Sequence, residues 1–200
     1  MAAPLEFFFD FASPYGYLAS LQIDGVAARH GRTVRWRPFM LGAAFKETGQ
    51  SPLPQQKLRG PYHLHDFARS ARRIGVAFRM PEPFPFAALA PSRAFYWLEG
   101  QDPAKARAYA AAVYRMVFAE GRPVGDVAAA AAAGATLGID AMALASAVSD
   151  PGIKEKLRQA TEEAIGRGVF GSPFIFIDGE AFWGHDRLPQ IEEWLDRGGW

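Results

Sequence analysis

Four short apolar runs, two near the start of the chain and two near its end, enclose a long stretch whose apolar residues recur with helical period. Leu5 to Phe11 is aromatic-rich and breaks at Ser13-Pro14, as a buried strand does where a helix begins. Pro14 suits a first helical turn, where its missing N–H has no partner in any case. Tyr17, Leu18, Leu21 and Val26 then repeat at near-helical spacing up to His30 and Gly31, which predicts one helix stopped by Gly31. Thr33 to Arg37 reads as a second strand ended by Pro38, completing a βαβ opening. At the other end, Pro173 to Ile177, the turn Asp178-Gly179 and Glu180 to Trp183 predict a β-hairpin. Leu188, Ile191 and Leu195 share one face of a last helix, for which Asp186 is the natural N-cap.

From Phe39 to about Phe86 the chain is broken by Pro and Gly around one helix near Tyr62 to Ile74, a composition that suits a covering segment. Between Ala87 and Gly168 the pattern is helical. Tyr109, Val113, Met116 and Val117 form one face, and Ile153, Leu157, Ala160, Ala164 and Ile165 form another, on a helix starting from Asp150-Pro151. The alanine run Ala128 to Ala133 predicts a helix face in loose contact, for want of side-chain volume. The order is therefore βαβ, a helical insertion, then ββα. It implies an α/β, thioredoxin-like fold split into residues 1–40 and 166–200, with a helical insertion domain and its covering loop at 41–165.

The 200 residues are half hydrophobic, enough to bury a core without staples. There is no cysteine, so thiol chemistry has to come from a bound ligand. With 22 Lys and Arg against 21 Asp and Glu, and no long run of either sign, nothing favours nucleic acid or an anionic membrane as partner. No apolar stretch approaches the roughly 18 residues that a membrane span needs. Met1 to Phe11 carries Pro4, Glu6 and Asp10 without a basic start, unlike a signal peptide, and a cytoplasmic protein is expected.

Three local patterns bear on chemistry. In Phe9 to Tyr17, Ser13 stands where a strand meets a helix N-terminus, and an anion there is favoured by about 0.3–1 kcal/mol. That field and a hydroxyl hydrogen bond favour the thiolate form of a bound thiol; an N-capping serine alone explains the same residues. In Val169 to Ile175, Ser172-Pro173 opens a strand after a Gly-rich turn, either as an ordinary strand start or as a cis proline that leaves a short unpaired backbone edge. In Phe182 to Leu188, Asp186 either caps a helix or holds a ligand ammonium beside exposed turn N–H groups. His63 and His65, two apart on a helix, and His30 at a helix end form no zinc constellation, and no metal is expected.

Taken together and in this order, these patterns resemble the kappa-class glutathione transferases and 2-hydroxychromene-2-carboxylate isomerases, DsbA-like proteins in which helices interrupt a thioredoxin fold. The resemblance rests on the Ser13-Pro14-Tyr15 opening, Lys46 to Gly49, Phe170 to Pro173, and Gly184 to Leu188. It implies a glutathione site in which Ser13 activates the thiol, beside Pro14 and Tyr15. Ser172 before Pro173 would pair its backbone with the cysteinyl part, and His185 with Asp186 would hold the γ-glutamyl end. Gln50 stands where an asparagine is usual, and His185 where asparagine or serine is common. Lys46 matches a lysine implicated in carboxylate binding, or is a solvated loop lysine. Phe84 and Trp183 line an aromatic substrate slot or belong to the core.

The activity implied is glutathione-dependent interconversion of 2-hydroxychromene-2-carboxylate and its trans-o-hydroxybenzylidenepyruvate isomer, a step of aromatic hydrocarbon catabolism, by a homodimer. The alternatives are a kappa-type transferase or peroxidase consuming glutathione with electrophiles, and a non-catalytic thioredoxin-like binding module.

Overall fold

A computed structural model describes residues 3–200; Met1 and Ala2, the head of the apolar start discussed above, lie outside the described residues. Four strands, β1 (Leu5–Phe9), β2 (Val34–Pro38), β3 (Phe174–Ile177) and β4 (Glu180–Trp183), form one sheet in the order β2-β1-β3-β4. β1 runs parallel to β2 and antiparallel to β3, with Phe7 opposite both Trp36 and Ile175, and β4 returns antiparallel beside β3. The hairpin turn is the expected one, with φ of 53° at Asp178 and 95° at Gly179.

Alternation along β1 divides the core in two. Leu5, Phe7 and Phe9 are fully buried on one face, where the Phe7 and Trp36 rings meet edge to face at 5.1 Å. Phe8 is buried on the other face with Phe39, Phe174 and Phe176. Removing each such side chain from water contributes roughly 1.5–3 kcal/mol. On this second face the buried Arg37 bonds Glu6 at 2.7 Å and Glu163 at 2.5 Å, tying the helix Pro151–Gly166 to β1 and β2.

Ten α-helices among the described residues cover the sheet and extend from it: α1 (Pro14–Ser20), α2 (Ile23–Arg29), α3 (Leu41–Thr48), α4 (Arg59–Arg73), α5 (Leu89–Glu99), α6 (Pro103–Tyr114), α7 (Val127–Ala135), α8 (Ala141–Ser149), α9 (Pro151–Gly166) and α10 (Leu188–Arg197). α9 starts at the expected Asp150 cap, whose carboxylate accepts from the Ile153 N–H at 2.9 Å. Two tyrosines fasten helices to the sheet, and a third ties the segment after α4 to α1. Tyr114 donates to the Asp10 carbonyl, Tyr96 to the Pro38 carbonyl and Tyr17 to the Ala77 carbonyl, at 3.0, 2.7 and 3.0 Å.

Three local expectations need correction. The single helix expected from Pro14 to His30 is two, because the Ser20 hydroxyl donates to the Tyr17 carbonyl and the Gln22 amide to the Leu18 carbonyl, at 2.7 and 2.9 Å. Those side chains bind the acceptors that would continue the ladder, and Leu21 is left 48% exposed. Asp186 does not cap α10: it lies in a 3₁₀ turn, His185–Arg187, and Pro189 removes the N–H that its side chain would have received. The alanine run is not in loose contact, since Ala130 and Ala133 are buried and the Ala130 carbonyl accepts from the Tyr109 hydroxyl at 3.1 Å.

Candidate active site

The turn between β1 and α1 is short and almost wholly buried. The Ser13 hydroxyl accepts from the Gly16 N–H at 3.0 Å, as an N-cap does, and donates to the Ser172 carbonyl at 2.8 Å. The Ser172-Pro173 bond is cis, and the Ser172 hydroxyl accepts from the Asp10 N–H at 3.0 Å. Two segments about 160 residues apart are thereby clasped at one point. Gly16 is required there, because a Cβ on it would lie 2.6 Å from the Tyr114 hydroxyl and 3.0 Å from that of Ser172.

Beneath the turn, the Asp10 carboxylate accepts from the Ala12 and Leu41 N–H groups, each at 2.8 Å. Burial pushes its pKa up to about 6, against the pull of those two bonds. Its signal in the sequence is an acid between Phe9 and Phe11, in an otherwise apolar run.

Beside the turn lies an open cavity of about 1130 Å³. Ser13, Pro14, Tyr15, Gln50, Phe84, Ser172, Trp183, His185 and Asp186 all line it. Pro173 is buried behind Ser172, outside the lining. Lys46 is not brought to this cavity. Leu41, Gly42 and Phe45 face it from α3, whereas Lys46 lies in a separate, smaller depression with Arg93, Lys154 and Arg158. Trp183 is half exposed and packs against Phe170 with ring centroids 4.8 Å apart; a Cβ on Gly171 would run into its indole.

The far wall is α4, which carries Arg59, His63, Asp66, Ser70 and Arg73 at helical spacing along the cavity. Tyr15 reaches this wall: its hydroxyl donates to Asp66 at 2.5 Å and lies 3.4 Å from His63 Nδ1. Its ring stacks on His185, with centroids 4.6 Å apart and planes 8° from parallel. Burial and then the Asp66 carboxylate push the Tyr15 pKa far above its ordinary value, so the phenol keeps its proton. Burial works against the Asp66 charge, but Tyr15 and a bonded Arg69 hold its pKa below the ordinary value. Burial lowers the pKa of both His63 and His185. Among the described residues no group of three or more His, Cys, Asp or Glu is placed to hold a metal ion.

The parallel β1-β2 pair linked by helices, the β3-β4 hairpin and the cis proline facing the first helix define a thioredoxin-like fold carrying a serine at the first turn. The chain belongs to the DSBA-like thioredoxin domain family, which it matches over residues 4–196. It is 30% identical over 201 residues to the 2-hydroxychromene-2-carboxylate isomerase of Sphingobium xenophagum, covering 98% of this chain and 99% of that one. It is 27% identical to glutathione S-transferase kappa 2 of Caenorhabditis elegans, over 96% and 91% of the two chains. A solved structure of a 2-hydroxychromene-2-carboxylate isomerase superposes with a TM-score of 0.87 at 29% identity, over 96% of this chain and 94% of the other.

Proposed function

We propose that this chain is a glutathione-dependent isomerase that interconverts 2-hydroxychromene-2-carboxylate and trans-o-hydroxybenzylidenepyruvate. The observation that carries the reading is the placement of Ser13. In a chain with no cysteine, over its whole length similar to isomerases of this name, a buried serine closes the turn that opens onto a cavity of substrate size.

The donor set fits glutathione, which brings two carboxylates, one ammonium and one thiol. Arg59 and Arg187 line the cavity as cations, and Asp186, 58% exposed and free of the helix cap, offers a carboxylate for the ammonium. Pro14, Tyr15, Gln50, Ser172 and His185 complete this set, and Phe84 and Trp183 are the apolar surfaces for the aromatic ring. When bound, glutathione supplies a thiolate nucleophile that adds reversibly to a conjugated double bond and frees it to rotate.

The protein's part is to hold and polarise. Ser13 can turn its proton from the Ser172 carbonyl toward a sulfur anion while its oxygen keeps the Gly16 N–H, so the N-cap survives the exchange. The Ser172 carbonyl is then released to a ligand N–H. We assign the thiol-activating turn to the thioredoxin-like part, residues 1–40 and 166–200, and the α4 wall that faces it to the insertion at 41–165. A cytoplasmic homodimer remains part of the proposal; among the described residues no helix is long and apolar enough to cross a membrane.

The test is absorbance-monitored conversion of 2-hydroxychromene-2-carboxylate with and without glutathione. Conversion that requires glutathione and leaves its concentration unchanged is expected. Accumulation of a stable conjugate would replace the isomerase with a kappa-type transferase, and failure to convert the compound or to bind glutathione would leave a binding module.

A further inference from the structure

The isomerisation needs a step in which thiol chemistry takes no part: the cyclic hemiketal must open, which moves a proton from one oxygen to another. The cavity holds an arrangement suited to that step. The Tyr15 hydroxyl donates its hydrogen bond to Asp66 Oδ2 at 2.5 Å, so its 3.4 Å approach to His63 Nδ1 is attractive only if that nitrogen carries the hydrogen. Asp66, Tyr15 and His63 thus form a chain that fixes the imidazole tautomer and leaves Nε2 with the lone pair. Phe67, with its ring centroid 6.1 Å away and planes 23° apart, and Tyr62, edge-on at 5.7 Å, flank the ring, which lines the same cavity as Ser13.

We propose that His63, oriented by Tyr15 and Asp66, is the proton carrier for ring opening and closure. Resting on the isomerase reading, the step balances as follows. Nε2 takes the proton of the hemiketal hydroxyl as that O–H pair becomes the C=O bond. The pair of the breaking ring C–O bond goes to the aryl oxygen, and the imidazolium returns the proton to the phenoxide. Nothing is oxidised, reduced or consumed.

The charged groups acting on His63 are Arg59 and Asp66 on its own helix; Tyr62 and, from α1, Tyr15 contact its ring, and His185 with Asp186 lies beyond Tyr15 on the same cavity. Burial first, with Arg59, outweighs Asp66 and keeps the imidazole neutral at neutral pH, the state a base requires. Tyr15 and Asp66 act as positioning residues.

Two measurements test this. In ¹⁵N NMR of the ligand-free protein, His63 should be the Nδ1–H tautomer at neutral pH and should lose that preference in Tyr15→Phe; an Nε2–H tautomer in the native protein overturns the assignment. In turnover, His63→Gln should fall roughly 100-fold with the glutathione thiolate absorbance unchanged, and His63→Ala should be partly restored by added imidazole. Native-rate turnover in His63→Gln removes His63 alone, as does a loss that imidazole leaves untouched. A native protein that never converts the chromene removes the isomerase reading and this step with it.

Discussion

The two walls of the cavity are built on opposite plans. On one side Asp10, Ser13 and Ser172 are 4%, 4% and 8% exposed and are bonded to one another across about 160 residues of sequence. On the other, Leu58 just before α4 is 89% exposed and Tyr62 in its first turn 56% exposed, and the charged groups of α4 bond mainly to near neighbours, as Arg69 does to Asp66 and Tyr62. A reacting sulfur needs donors fixed to a fraction of an ångström, which dense packing and long-range bonds provide. A substrate carboxylate needs only charge at about the right place. The fixed wall therefore suits the thiol chemistry, and the exposed wall suits binding of the substrate and the proton transfer proposed for His63.

The sharpest break of this contrast is Ser13→Ala. Turnover is expected to fall roughly 100- to 1,000-fold, the effect of losing one preorganised donor to a developing anion, with glutathione binding retained. The thermal midpoint should drop by only a few degrees, for loss of the N-cap to Gly16 at about 1 kcal/mol. Kinetics that survive the change would move the chemistry off this wall.

Next in size is Asp10, whose burial makes the fixed wall sensitive to pH. Its pKa is raised from 3.8 to about 6 in the folded protein, so between those values the folded state binds a proton that the unfolded state has released. Stability from this group is then greatest below pH 3.8 and declines as pH rises to about 6, by about 3 kcal/mol at most. Asp10→Asn should flatten that part of the stability curve in denaturant melts followed across pH. An unaltered slope would mean that Asp10 is ionised throughout.

How much of this was open to the sequence depended on range. The strands, the hairpin at Asp178-Gly179 and the Asp150 start of α9 were legible within a few residues. The break after Ser20 was not, because it comes from side-chain bonds to carbonyls that leave the apolar spacing of Tyr17, Leu18 and Leu21 intact. The cavity divides in the same way. Ser13, Ser172 and Asp186 sit in short local motifs, whereas the α4 residues at 59, 63, 66, 70 and 73 have the spacing of any solvated helix face. The contacts of Tyr15 with Asp66 and His63, 51 and 48 residues away, turn that face into a wall, and no local pattern carries them. Lys46 shows the converse: a motif brought it forward, but the turn of α3 carries it away from the cavity.

The smallest effect expected is at Arg73, and it probes the exposed wall most directly. Arg73 lines the cavity at the end of α4 and makes no salt bridge among the described residues, in contrast to Arg69, which is tied to Asp66. Its charge reaches the β4-α10 corner, where it opposes protonation of His185, though less than burial does. A side chain so placed attracts an anionic substrate without holding any part of the fold, and an exposed charge of this kind contributes up to about 1 kcal/mol. Arg73→Gln should therefore raise KM for the chromene carboxylate about 5-fold, leave kcat and the thermal midpoint unchanged, and weaken the salt dependence of kcat/KM. A fall in kcat at constant KM would show that Arg73 takes part in the chemistry instead of in binding, and its assignment to substrate selection would fail at that point.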